Sequence, residues 1–204
     1  MNFFFHDGVL ARRLRSEQHA AQIVEFAVAL PLLVVFVVGI FDFSGAFTLK
    51  QKLTNVARDA ARAAAADPAT DLNSTFGAGS GPTSVSDAFQ IIDNYLKANR
   101  LNDCGIGPAN LTTSGLTWTY SIPTSGGCGI TIIINRGYFF PMTGANPPTI
   151  SCTPQSSAGA TVVGTCVSVQ YSYFWKFGRV ASMFGPILTL PPQISAVAVA
   201  MNEN

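Results

Sequence analysis

The sequence predicts an α+β protein in which a long N-terminal helix with a transmembrane segment is followed by a second helix and an antiparallel sheet of about four strands. Three features carry that prediction. The run Ala21 to Phe41, AQIVEFAVALPLLVVFVVGIF, is apolar almost throughout and matches the length of a bilayer span, about 20 residues. From Asp42 to Ala66 there is no proline and a single glycine, Gly45, and apolar residues recur at helical spacing. After Cys104 the period changes to alternation, the mark of half-buried strands.

Residues 1–20 read as a leader. Arg12, Arg13 and Arg15 stand just before the apolar run, which holds that flank in the cytoplasm and places the C-terminal bulk on the far side. The span itself, about Ile23 to Phe41, contains Glu25. A charge at bilayer depth costs roughly 2.5–3.5 kcal/mol on insertion scales, so Glu25 reads as a functional group in need of a cationic partner. A carboxylate that snorkels to the cytoplasmic headgroups is the alternative. Pro31 removes a backbone donor inside the helix and predicts a kink or local unwinding. Beyond the span the stretch VARDAARAAAA is rich in the best helix former, and Leu49, Leu53, Val56, Ala60 and Ala64 make one apolar face. Asp67-Pro68 ends the helix, because the residue before a proline is steered out of the α region. A second reading takes the run as a secretory signal cut after Ala46, which releases a soluble protein.

Residues 67–86, with Gly77, Gly79, Gly81 and Pro82, read as a linker, and 87–204 as an extracytoplasmic α+β head. The second helix is expected from about Asp87 to Arg100, capped by Ser84 or Ser86, with Ala88, Ile91, Ile92, Tyr95 and Leu96 as its buried stripe. Leu116, Trp118, Tyr120 and Ile122 alternate with polar residues as a first strand, and Ile130 to Phe140 supply a second. Val167, Val169, Tyr171 and Tyr173 alternate as a third, and Ile194, Ala196, Ala198 and Ala200 as a last. A short helix is expected within Gly178 to Gly185. The aromatic residues Trp118, Tyr138, Phe140, Tyr171, Tyr173 and Trp175 read as sheet core in preference to a ligand platform.

The four cysteines, Cys104, Cys128, Cys152 and Cys166, all follow the span, and an even count beyond a membrane points to disulfides in an oxidising compartment. Four cysteines allow three connectivities; the local pairs Cys104–Cys128 and Cys152–Cys166 are favoured because each staples one loop. A metal site is the rival, but there is no CxxC spacing and no histidine after His19. With both histidines, His6 and His19, ahead of the span, the head holds no Ser-His-Asp or Cys-His arrangement. There is no phosphate-binding glycine loop, and no acidic pair spaced for acid–base work. A net charge of +1 without a basic patch gives no case for nucleic acid. The expectation is a protein that is not an enzyme and needs no cofactor or metal.

The stretch AAQIVEFAVALPLL, starting at Ala20, resembles the TadE-like proteins of tight-adherence (Tad/Flp) pilus systems, in the type IV pilin-like group. The likeness extends through GIFDFSGAFTLKQKLTNVARDAARAAA and, as pattern, to the C-terminal ISAVAVAMNEN. It implies a pilin-like fold and cleavage by a prepilin peptidase between Ala20 and Ala21, which makes Glu25 the fifth and Phe26 the sixth residue of the mature chain. Ala20 stands where such leaders often carry glycine. The resemblance also implies that the α-amino group of Ala21 pairs with Glu25 of a neighbouring subunit, and it likens Pro31 to a helix-loosening proline of pilin stems. The implied protein is single-pass in a bacterial inner membrane, with a cytoplasmic N-terminus and a periplasmic or extracellular head. Its implied role is that of a minor pseudopilin or assembly subunit in adhesion or secretion, with other pilus subunits and the inner-membrane platform as partners. A membrane-anchored binding module with a disulfide-stapled head is the alternative.

Overall fold

The computed structural model describes residues 7–73, 76–77, 79–125, 127–140, 151–153, 163–176 and 190–203, with the backbone alone over 7–20 and at 73 and 125. In chain order the elements are helix α1 (Asp7–Ala66), a 3-10 turn (Ala69–Asn73), helix α2 (Thr83–Ala98), a second 3-10 turn (Pro108–Asn110) and five strands. The strands are β1 (Leu111–Ser114), β2 (Thr117–Ser125), β3 (Cys128–Phe139), β4 (Val163–Ser172) and β5 (Gln193–Met201). They form one antiparallel sheet in the order β1-β2-β3-β4-β5, each beside its neighbour in sequence. The fold is therefore α+β, with a long apolar N-terminal helix, a second helix and the sheet. The chain divides into two compact units: residues 1–44 with 175–189, and residues 45–174 with 190–204.

In the second unit the strand register gathers the apolar residues on one face. Ile130, Ile132 and Ile134 of β3 stand opposite Tyr171, Val169 and Val167 of β4, and Trp118 and Tyr120 of β2 stand opposite Ile134 and Ile132. Directly opposed residues of an antiparallel pair point to the same side, so these side chains form one continuous layer. The C-terminal half of α1 contributes Leu49, Leu53 and Val56, then Ala57, Ala60, Ala61 and Ala64, all buried. From α2 come Val85, Ala88, Phe89, Ile92 and Leu96. Phe89 stacks on Tyr120 with ring centroids 4.1 Å apart, which places α2 on this face. Each fully buried Leu, Ile or Val contributes roughly 1.5–3 kcal/mol relative to exposure.

The opposite face has its own smaller cluster. Cys166 of β4 is bridged to Cys152, and the pair packs with Tyr138 against Ile133, Phe140, Val197 and Val199. The second bridge, Cys104–Cys128, ties the segment after α2 to the first residue of β3. Both are the local pairs favoured by spacing, with Cα atoms 5.7 Å apart in Cys104–Cys128 and 5.3 Å in Cys152–Cys166. The turn that carries Cys104 is held by side chains: Asn102 Oδ1 accepts from the Cys104 N–H at 3.0 Å and Asp103 Oδ1 from the Gly105 N–H at 3.1 Å. That second bond, foremost, holds the Asp103 carboxyl below its ordinary pKa.

Arg136 fixes the end of α1. The β3 ladder shifts register between Asn135 and Tyr138, and Asn135 Oδ1 accepts the Gly137 N–H inside the bulge at 2.9 Å. Arg136, 1% exposed, donates from Nη2 to the Asp67 carbonyl at 2.9 Å and from Nη1 to Thr165 Oγ1 at 3.1 Å. Thr165 in turn donates to Asn202 Oδ1 at 2.7 Å. The last turn of α1 has no basic residue of its own. A cation at a helix C-terminus offsets the unpaired carbonyls and the helix dipole, and β3 supplies it here. Burial pulls the Arg136 pKa below its ordinary value, with Asp71 and Asp67 opposing, yet a guanidinium stays charged.

Four details differ from the expected layout. The sheet has five strands, the additional one being β1, a four-residue edge strand too short to leave a periodic signal. Helix α2 begins at Thr83 rather than Asp87, and neither Ser84 nor Ser86 caps it. The capping acceptor comes from outside the helix: Asp71 Oδ2 takes the Ser84 N–H at 3.0 Å, so part of the expected linker is ordered as the 3-10 turn that carries Asp71. Leu116 lies outside β2 and is 45% exposed, while Phe89 joins the buried stripe of α2. The helix expected within Gly178 to Gly185 lies outside the described residues.

Candidate functional site

The candidate site is the first unit's part of α1, and its chemistry follows from which side chains are left uncovered. Residues 21–34 are exposed without exception, including Ile23, Val24, Phe26, Val28, Leu32 and Leu33. A helix in the core of a soluble protein hides such side chains. Here only 6% of the most apolar window is buried, at a mean hydropathy of 2.7. Contiguous apolar surface of this kind marks a membrane or partner contact. By length and composition this one helix is a candidate membrane anchor.

The sequence-predicted residues lie in order along this surface. Ala20 and Ala21 are consecutive residues within α1, so the peptide expected to be cut is helical in this chain. Glu25 sits one turn beyond Ala21, about 6 Å along the axis at 1.5 Å per residue. Its neighbours at helical spacing are Ala21, Gln22, Val28 and Ala29, none of them cationic. Among the described residues no ion pair or hydrogen bond reaches the Glu25 carboxylate; the ion pairs there are Lys97–Asp93 and Lys97–Asp103. Phe26 is 66% exposed beside it. Pro31 lies inside α1, which stays α-helical through it, so of the expected kink or local unwinding the unwinding is not seen. The carbonyl of Ala27 is the one that loses its intrahelical donor there. The first carboxylate after the apolar run, Asp42, is buried.

One member of the aromatic set was misplaced by sequence reasoning. Trp118 and Tyr138 are buried in the sheet as expected. Tyr171 is half-buried, donates its hydroxyl to the Asn102 carbonyl at 2.9 Å, and has its pKa raised, chiefly by burial. Trp175 follows β4 and belongs to the first unit, where its ring lies 5.3 Å from that of Phe43 at 59°. It is not sheet core. The signal available in sequence was its position beyond the last alternating residue, Tyr173, next to Lys176.

Among the described residues no group of three or more His, Cys, Asp or Glu is placed to hold a metal ion. All four cysteines are consumed in bridges. What the arrangement offers is an exposed apolar helix with one acidic group near its start.

The model of the TadE-like protein family matches residues 20–62, beginning at the predicted cut and ending within the last turns of α1. No curated protein and no solved structure matches the chain.

Proposed function

We propose that this chain, TadE-like over residues 20–62, is a structural subunit of a tight-adherence pilus, a minor pseudopilin or assembly factor that serves adhesion or secretion. The TadE-like match associates it with the Tad pilus system and with a membrane. The observation that carries the finer reading is the exposed helix surface with Glu25 one turn after Ala21 and no cation within reach among the described residues. A prepilin peptidase that cuts Ala20–Ala21 creates an ammonium at the start of that surface. The ammonium pairs with Glu25 of an adjacent subunit, sets neighbouring helices in register and lets the faces around Phe26, Val28 and Leu32 pack together. The head, stapled by two disulfides, then stands on the oxidising side of the bacterial inner membrane. The role is assembly rather than catalysis, with other pilus subunits and the inner-membrane platform as partners.

Glu25→Gln tests the pairing. The substitution keeps the shape and removes the charge, so insertion becomes easier and the protein reaches the membrane at normal level. Co-purification with its pilus partners from detergent-solubilised membranes falls to background. A strain that lacks the peptidase shows the same loss, and the two defects do not add, because each removes one half of one pair. Normal association and normal piliation in the Glu25→Gln strain leave a plain anchor with a snorkelling glutamate and end this reading.

A further inference from the structure

We propose that Trp175 and Lys176 form a second contact with the bilayer, at the headgroup boundary on the side where the apolar run of α1 ends. The inference rests on α1 as a membrane span and adds to it a lipid-binding element from the far end of the sequence. Three observations meet at this place. The apolar run closes at Phe41, 74% exposed, and Phe43 follows about 3 Å further along the helix axis. Trp175 is packed on Phe43, so its indole lies at the level where the hydrocarbon of a spanned bilayer gives way to headgroups. Lys176, the next residue, is exposed.

The chemistry of the two side chains fits that level. An indole has a large apolar body and one N–H donor, and Trp is enriched at membrane–water interfaces for that reason. A lysine beside it keeps its ammonium among lipid phosphates while its methylenes lie along apolar surface. The occupant is a lipid surface rather than a protein, because the contact continues the apolar surface of the span itself. It ties residue 175 to the membrane level of residue 43 by side chains of the first unit alone.

The chain has two tryptophans, which makes the test direct. Trp118 is buried in the sheet and its Nε1 has no hydrogen-bond partner, so Trp118→Phe removes no hydrogen bond and leaves Trp175 as the only fluorophore of its kind. The full-length Trp118→Phe protein is reconstituted into vesicles of phosphatidylcholine and phosphatidylglycerol carrying bromine either near the headgroup or near the chain end. Trp175 loses most of its emission to the shallow bromine and little to the deep one. Lys176→Glu in the same background weakens the shallow quenching in phosphatidylglycerol vesicles and not in phosphatidylcholine alone. Protein that floats with the vesicles but is quenched at neither depth overturns the proposal. So does blue-shifted, unquenched emission that disappears as protein is diluted in lipid, which assigns the contact to a second subunit. Unchanged quenching in Lys176→Glu overturns the role of the lysine. Protein that fails to float overturns the span, and this inference with it.

Discussion

Arg136 and Asp71 hold the ends of two helices from other elements. Arg136 donates to the carbonyl that follows α1, and Asp71 accepts the first-turn N–H of α2. Two hydrogen bonds from a buried cation are worth about 1.5–3 kcal/mol each, so Arg136→Ala is expected to destabilise the head by on the order of 3 kcal/mol in urea unfolding. Arg136→Lys recovers little of that, because one ammonium cannot reproduce the planar fork that spans Asp67 and Thr165. Recovery of full stability by lysine assigns the effect to charge alone. Asp71→Ala removes a helix cap and is expected to cost about 1 kcal/mol, within the usual range of roughly 0.5–2 kcal/mol, while Ser86→Ala costs much less. Equal losses in the two variants place the cap on the local serine. Neither role was legible in the sequence. Periodicity reads Arg136 as one residue in a strand pattern, and local capping rules look to Ser84 and Ser86, whereas the true acceptor lies 13 residues upstream of Ser84.

At the scale of elements, the strands were readable where one face is buried and the other polar. Strand β2 is of that kind, with Trp118 and Tyr120 buried and Thr119 and Ser121 on the other face. Strand β4 is different. Alternation assigns Ser168 and Ser172 to an open face, yet both are buried, at 4% and 5% exposure. The pairing sets Ser168 between Ile133 and Val197, whose larger side chains flank it. The Cys152–Cys166 bridge packs on the same side with Tyr138. A loop brought in by a disulfide leaves no trace in the period of the strand it covers. Removal of a native bridge from a small secreted domain typically costs about 2–5 kcal/mol, so Cys152→Ser is expected to lower the unfolding midpoint of the head by a matching amount. The same midpoint in the variant and the parent, both with the Cys104–Cys128 bridge intact, denies the bridge a structural role.

For the molecule as a whole, the division of labour runs along the chain. The first unit carries the exposed apolar helix, and the second buries its apolar residues on a sheet stapled by disulfides. The α+β class and the long exposed apolar helix were legible because hydropathy and period are local properties. Glu25 stands out in the sequence because a carboxylate inside an apolar run departs from the composition around it. The place of Trp175 was not legible, because it packs on Phe43, more than a hundred residues earlier. Two accounts of the N-terminal run now make different mature proteins. A signal peptide leaves a soluble head without Glu25, whereas a pilin-like subunit keeps the run and frees the amino group that Glu25 requires.

The N-terminal residue of the protein recovered from bacterial membranes separates them most directly, read by Edman degradation or by mass spectrometry of the intact chain. The pilin-like account predicts a membrane-bound protein that begins AQIVEF at Ala21. A soluble protein that begins at Phe47, or a membrane protein that still begins at Met1, contradicts it.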